Sequence, residues 1–131
     1  MEKLIIEATM NSPRVELDHE NKQFVFSGES RPENVRNFYL PVLDWLESFS
    51  AELLKSGSKE PLVFDFNLEY FNSTSAKYIL DIFKSLYGIH ENGNEVLIRW
   101  HFEEDDEDMY EVGMEMSRMS KLPFEYVKVE V

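Results

Sequence analysis

Hydrophobic residues change their spacing several times along the chain, and each change marks an element. Residues 61–71, PLVFDFNLEYF, alternate strictly, with Leu62, Phe64, Phe66, Leu68 and Tyr70 on one side and Val63, Asp65, Asn67 and Glu69 on the other. That period of two predicts a strand with one buried and one mostly polar face. Residues 95–102, EVLIRWHF, repeat the pattern, with Val96, Ile98, Trp100 and Phe102 inward and Leu97, Arg99 and His101 opposite. Nearer the start, LIIEA (4–8), RVEL (14–17) and QFVFS (23–27) are shorter apolar runs, the first of them marginal. The second and third flank the polar residues 18–22 and predict a hairpin with a longer loop. FEYVKVEV closes the chain as a last strand.

Between these runs the period becomes helical. Val35, Phe38, Tyr39, Val42, Leu43, Leu46 and Phe49 recur at three- and four-residue steps, predicting one helix of about five to six turns. Ser30 with Glu33 reads as its capping box, with Pro32 in the first turn. Pro41 should bend the helix, and Gly57 should stop it. Ala76, Ile79, Leu80, Phe83, Leu86 and Tyr87 form a second stripe, closed by the turn ENGN at 91–94. Met109, Val112, Met116 and Met119 form a third, behind an acidic run that suits the positive end of a helix. The order β-β-β-α-β-α-β-α-β suits parallel strands joined by right-handed crossovers. The polar alternate face at 61–71 predicts an α/β domain, a mixed β-sheet with helices mainly on one face. Residues 1–131 read as a single domain without internal repeats.

Composition narrows the function. Lys and Arg total 13 against 26 for Asp and Glu, a net charge of −13, so the basic footprint that nucleic acids require is missing and anionic membranes would repel the chain. The absence of cysteine excludes disulfides, zinc–thiolate sites and thiol nucleophiles. No stretch reads as a signal peptide or a membrane span, so a soluble, cytoplasmic protein is expected.

Active-site chemistry is sparse. His19 and His90 fall in predicted turns, where solvated side chains are expected, and no histidine pair has metal-ligand spacing. His101 shares a strand face with Arg99, and a structural role is favoured for it. Residues 103–108 are all acidic but lack the EF-hand pattern. Asp65 and Glu69 stand about 13 Å apart at strand rise, beyond the usual glycosidase spacing. The five glycines are scattered, so no phosphate loop exists. A small hydrolase or metal enzyme would have to draw His101, Asp65 and Glu69 together in a concave site on the open sheet face.

The remaining feature is EYFNSTSAKYIL, residues 69–80, where Ser73, Thr74 and Ser75 lie between a strand pattern and a helix pattern. The nucleophile-elbow sequence G-x-S-x-G is absent. Asn72 or Ser73 can cap the helix, and the same free amides would accommodate a regulatory phosphate. On physical grounds alone the plain cap is the simpler reading.

Five segments, in order, resemble the SiaC family of bacterial regulatory phosphoproteins: Pro32-Glu33-Asn34, Asp44-Trp45-Leu46-Glu47, Tyr70-Phe71-Asn72-Ser73-Thr74-Ser75, Ile98-Arg99-Trp100-His101 and Pro123-Phe124. The resemblance covers about residues 26–127. It implies a fold similar to the STAS domains of anti-sigma-factor antagonists, no catalytic activity and no cofactor. It also implies a partner-switching role with a dedicated serine/threonine kinase, a metal-dependent serine/threonine phosphatase and an effector. In the characterised branch the effector is a diguanylate cyclase, linking the system to cyclic-di-GMP and biofilm formation. Carried over, the phosphate acceptor falls on Ser73, with Thr74 as the alternate. Glu69, Tyr70, Asn72, Thr74 and Ser75 then form the interaction surface around it. Serine replaces the family's usual threonine, and Glu69 replaces an apolar residue. A phosphate-independent scaffold is the other non-enzymatic reading.

Overall fold

A computed structural model describes residues 1–131. Six strands lie in chain order across one sheet: β1 (Leu4–Ile6), β2 (Arg14–Asp18), β3 (Gln23–Ser30), β4 (Leu62–Phe71), β5 (Val96–Glu103) and β6 (Phe124–Val129). The first three pair antiparallel and the last four parallel, so the sheet is mixed. The crossovers carry α1 (Val35–Ser56), α2 (Ser73–Glu91) and α3 (Glu107–Ser120).

The core lies on one side of the sheet. Phe24, Phe26, Phe64, Phe66, Ile98 and Trp100 are buried there with Leu46 and Phe49 of α1 and Ile82 and Phe83 of α2. Aromatic pairs cross the strands, with Phe26 stacked on Phe66 at 4.5 Å and Phe24 on Phe64 at 4.5 Å. The other face carries half-exposed polar and ionic side chains, as the alternation predicted. Arg99 there joins Asp65 of β4 (3.2 Å) to Glu125 of β6 (3.5 Å) across three strands.

Tertiary packing corrects four local expectations. Ser30 does not cap α1: it ends β3, fully buried, and Asn34 caps the helix by accepting from Asn37 N–H at 3.1 Å. Strand pairing of Ser30 with Phe71 wins over the local capping pattern. Met119 is 53% exposed, and Gly113 takes the buried place instead. A side chain at 113 would collide with the indole of Trp100, whose Nε1 donates to Met109 C=O at 3.0 Å. His19 is held by Glu60, at 2.9 Å, with its ring edge-on to Phe49. His90 lies in the last turn of α2 and accepts from Val96 N–H at 3.0 Å. Gly57 ends α1 in the left-handed conformation (φ 70°), as expected, and Pro41 lies inside the helix.

Candidate functional site

The junction between β4 and α2 is a single residue. Asn72 is extended and caps the helix, its side-chain oxygen accepting from Ser75 N–H at 2.9 Å and from the Thr74 hydroxyl at 3.1 Å. That arrangement leaves the amides of Ser73 and Thr74 without intrahelical acceptors. No acidic residue occupies the first turn, so the positive end of the helix dipole is not neutralised there. Ser73 and Thr74 are exposed.

Ser75 differs from its neighbours. It was expected on the interaction surface, but it is fully buried because its hydroxyl is drawn into a three-residue chain. Ser75 Oγ donates to Ser30 C=O at 2.9 Å, and Ser30 Oγ donates to Ser75 Oγ at 2.9 Å. With both serine protons committed, the proton in the short contact between Tyr39 and Ser30 belongs to the Tyr39 hydroxyl. Burial pushes the Tyr39 phenol above its ordinary pKa. The chain leaves no donor unused and ties the start of α2 to the end of β3 and to α1. Asn72 N–H adds a bond to Ser30 C=O at 3.1 Å.

The other side of the junction holds a β-bulge. Gly28 pairs with Leu68, but the next residue, Glu29, pairs with Tyr70, so Glu69 is an extra residue in β4. The bulge inverts the alternation beyond it. Tyr70, expected to point into the core, is 49% exposed, and Phe71 turns inward against Trp100. Glu69 is exposed beside it. The structure therefore gathers Glu69, Tyr70, Asn72, Ser73 and Thr74 at one end of the parallel strands, with Ser75 underneath. The signal for the bulge in the sequence was Gly28 inside a strand, which adopts φ 110°.

Two of the three residues required by the hydrolase reading do meet: His101 Nε2 lies 2.8 Å from Asp65 Oδ1. Asp65 is shared with Arg99, so the pair braces β4 against β5. Glu69 and His101 line a common cavity of about 340 Å³, but its lining includes neither Asp65 nor any hydroxyl or thiol side chain. No cluster of three histidine or acidic side chains has the arrangement to hold a metal ion.

The domain is a one-sided α/β module of a regulatory phosphoprotein family, with an exposed helix start whose first turn carries no acidic side chain. The chain belongs to the SiaC family: the model for SiaC family regulatory phosphoproteins matches residues 6–129. A protein of Pseudomonas aeruginosa strain UCBPP-PA14 is 32% identical over 124 residues, spanning 95% of this chain and 94% of that one. The crystal structure of apo-SiaC from Pseudomonas aeruginosa is 31% identical with a TM-score of 0.84, covering 97% of this chain and 99% of that chain. A chain from the crystal structure of the diguanylate cyclase SiaD in complex with its activator SiaC, also from Pseudomonas aeruginosa, is 30% identical. Its TM-score is 0.86, with 96% of this chain and 99% of that chain covered. The six-strand mixed sheet with three helices is thus the architecture of SiaC. No helix here is long and apolar enough to cross a membrane.

Proposed function

We propose that this protein is a non-enzymatic, phosphorylation-controlled switch whose unmodified form binds and activates an effector. The effector is a diguanylate cyclase, by analogy with the complex of SiaC and SiaD. A serine/threonine kinase places a phosphate on Ser73, with Thr74 as the alternate acceptor, and a metal-dependent phosphatase removes it. The observation that carries the reading is the exposed Ser73 hydroxyl on a helix start that holds free amides and no acidic side chain. The single domain works in the cytoplasm, and its sheet with helices on one face supports kinship with STAS domains.

The switching physics is local. Phosphate adds about 1.5 to 2 negative charges to an edge already flanked by Glu69. If the effector covers that edge, burying an uncompensated dianion costs more than the roughly 2 to 7 kcal/mol of a neutral polar group left without its partner. Each 1.4 kcal/mol is tenfold in affinity, so binding is switched off. The test is to incubate the protein with the kinase of its system and ATP, map the site by mass spectrometry, and compare effector binding of Ser73→Ala and Ser73→Asp. Modification at 73 with loss of binding in Ser73→Asp alone is expected. Absence of phosphate from 73 and 74, or wild-type binding by Ser73→Asp, refutes the proposal.

A further inference from the structure

The three hydroxyls that open α2 are held in three different ways, and the difference turns on Asn72. An amide oxygen offers two lone pairs. Asn72 Oδ1 spends one on Ser75 N–H at 2.9 Å and the other on the Thr74 hydroxyl at 3.1 Å. Ser75 is buried in its own chain with Ser30. Ser73, the first residue of the helix, is exposed, and its hydroxyl forms no hydrogen bond within the protein. Of the two exposed hydroxyls, one is therefore tied into the cap and the other is free.

We infer that Asn72 is a positioning residue that confines phosphorylation to Ser73 by holding the Thr74 hydroxyl inside the cap. This role rests on the phosphoswitch proposed above and closes off its alternate acceptor. In the transfer, the acceptor oxygen bonds to the γ-phosphorus of ATP as the bond from that phosphorus to the bridging oxygen breaks. ADP leaves, and the hydroxyl proton passes to a base of the kinase. The Ser73 proton is free to be taken. The Thr74 proton points at an amide oxygen, which is no base at neutral pH. That hydrogen bond has to break before the hydroxyl can turn in line with the nucleotide.

The product state discriminates in the same direction. An esterified Thr74 Oγ1 has no proton to donate, so it would face Asn72 Oδ1 as one acceptor against another. Its phosphate would bring negative charge toward that oxygen, and the cap on Ser75 N–H would open. On Ser73 the same group stands outside the cap, beside the amides of Ser73 and Thr74 that have no intrahelical acceptor.

The test is phosphorylation in vitro by the kinase of this system with ATP. Phosphate at 73 and at 74 is counted by mass spectrometry against synthetic phosphopeptides. In the wild type, modification at 73 should exceed that at 74 about tenfold. Asn72→Gly deletes the oxygen at little cost to the cap, whereas Asn72→Ala deletes it and also weakens the helix start. Both should raise the share of Thr74 by about two- to tenfold, the worth of one neutral hydrogen bond. Asn72→Asp keeps an acceptor in the same place and should keep the wild-type ratio. An unchanged ratio in Asn72→Gly overturns the inference even if Asn72→Ala moves, because fraying then accounts for the shift. A ratio that falls equally in Asn72→Asp also overturns it. Three-bond couplings at Thr74 check the same bond without the kinase. One side-chain rotamer is expected in the wild type and averaged rotamers in Asn72→Gly, and averaging in the wild type overturns the inference. Phosphate mainly on Thr74 does so too, but leaves the switch standing. Phosphate on neither residue refutes the switch and this role together.

Discussion

The starts of α2 and α3 follow neighbouring parallel strands and are capped by the same side-chain hydrogen bond, yet only that of α3 carries acidic side chains. Asn72 accepts from Ser75 N–H at 2.9 Å, and Asp106 accepts from Met109 N–H at 3.0 Å. The first turn of α3 contains Glu107 and Asp108, whereas that of α2 contains no acid. At α3 the dipole is satisfied by built-in carboxylates; at α2 a neutral amide does the capping and the positive end stays available. Geometry alone does not mark a site for a phosphate. The phosphate proposed for α2 rests on the absence of resident negative charge there, together with an exposed hydroxyl. The two helices are also anchored differently, α3 by the close approach of Gly113 to Trp100 and α2 by the buried chain of Ser75, Ser30 and Tyr39.

Experiments can press on this contrast. The largest effect is expected from phosphate at Ser73, which should cut effector affinity at least about a hundredfold, equivalent to roughly 2.8 kcal/mol, by titration calorimetry. If phosphoserine at 73 leaves affinity unchanged, the charge contrast between the two starts has no regulatory meaning. Next comes Gly113→Ala, where overpacking of about 1–3 kcal/mol outweighs about 1 kcal/mol of helix propensity. Urea unfolding should show a net loss of stability, and a stabilised variant would mean that α3 is not seated on Trp100. Ser75→Ala removes one link of the hydroxyl chain and should cost about 1–2 kcal/mol, since it strands a buried donor of Ser30. The same variant should shift the Tyr39 ring signals, and unchanged signals would show that the chain does not anchor α2.

A carboxylate outside both junctions supplies the smallest effect and a reference. Glu60 is pulled down to a pKa of about 2, chiefly by its hydrogen bond from Lys22, with His19 and Ser58 adding to it. A depressed folded-state pKa contributes stability that is complete above the ordinary value of 4.5 and lost as pH falls toward 2. Wild-type stability should therefore decline through that window, and Glu60→Gln should flatten part of the decline. An identical acid profile in the variant would show that Glu60 is not paired in solution.

Much of the molecule was legible in its hydrophobic periods. Alternation at 61–71 and 95–102 located the two central strands and their polar outer face, because a side-chain period of two leaves no other way to bury Phe64, Phe66, Ile98 and Trp100 together. The helical stripes located α1, α2 and α3, and the exposed pair Ser73 and Thr74 was visible as a strand-to-helix junction. The motif resemblance identified the family, and residues 6–129 match its model.

Tertiary structure decided what local patterns could not. Ser30 looks like a helix cap to its sequence neighbours, but pairing with Phe71 and the hydroxyl of Ser75, 45 residues away, takes it into the core. Tyr70 looks buried by parity, but the bulge at Glu69 reverses the parity of everything after it. The three hydroxyls at 73–75 are equivalent in a one-dimensional reading. Burial of one of them against a residue from another strand makes Ser75 structural and leaves Ser73 and Thr74 facing water. Periods depend on neighbours a few residues apart, net charge is a sum over the chain, and the family follows from short segments in a set order, so all three can be read in one dimension. Register and burial depend on partners brought together from distant positions, and only the folded chain settles those.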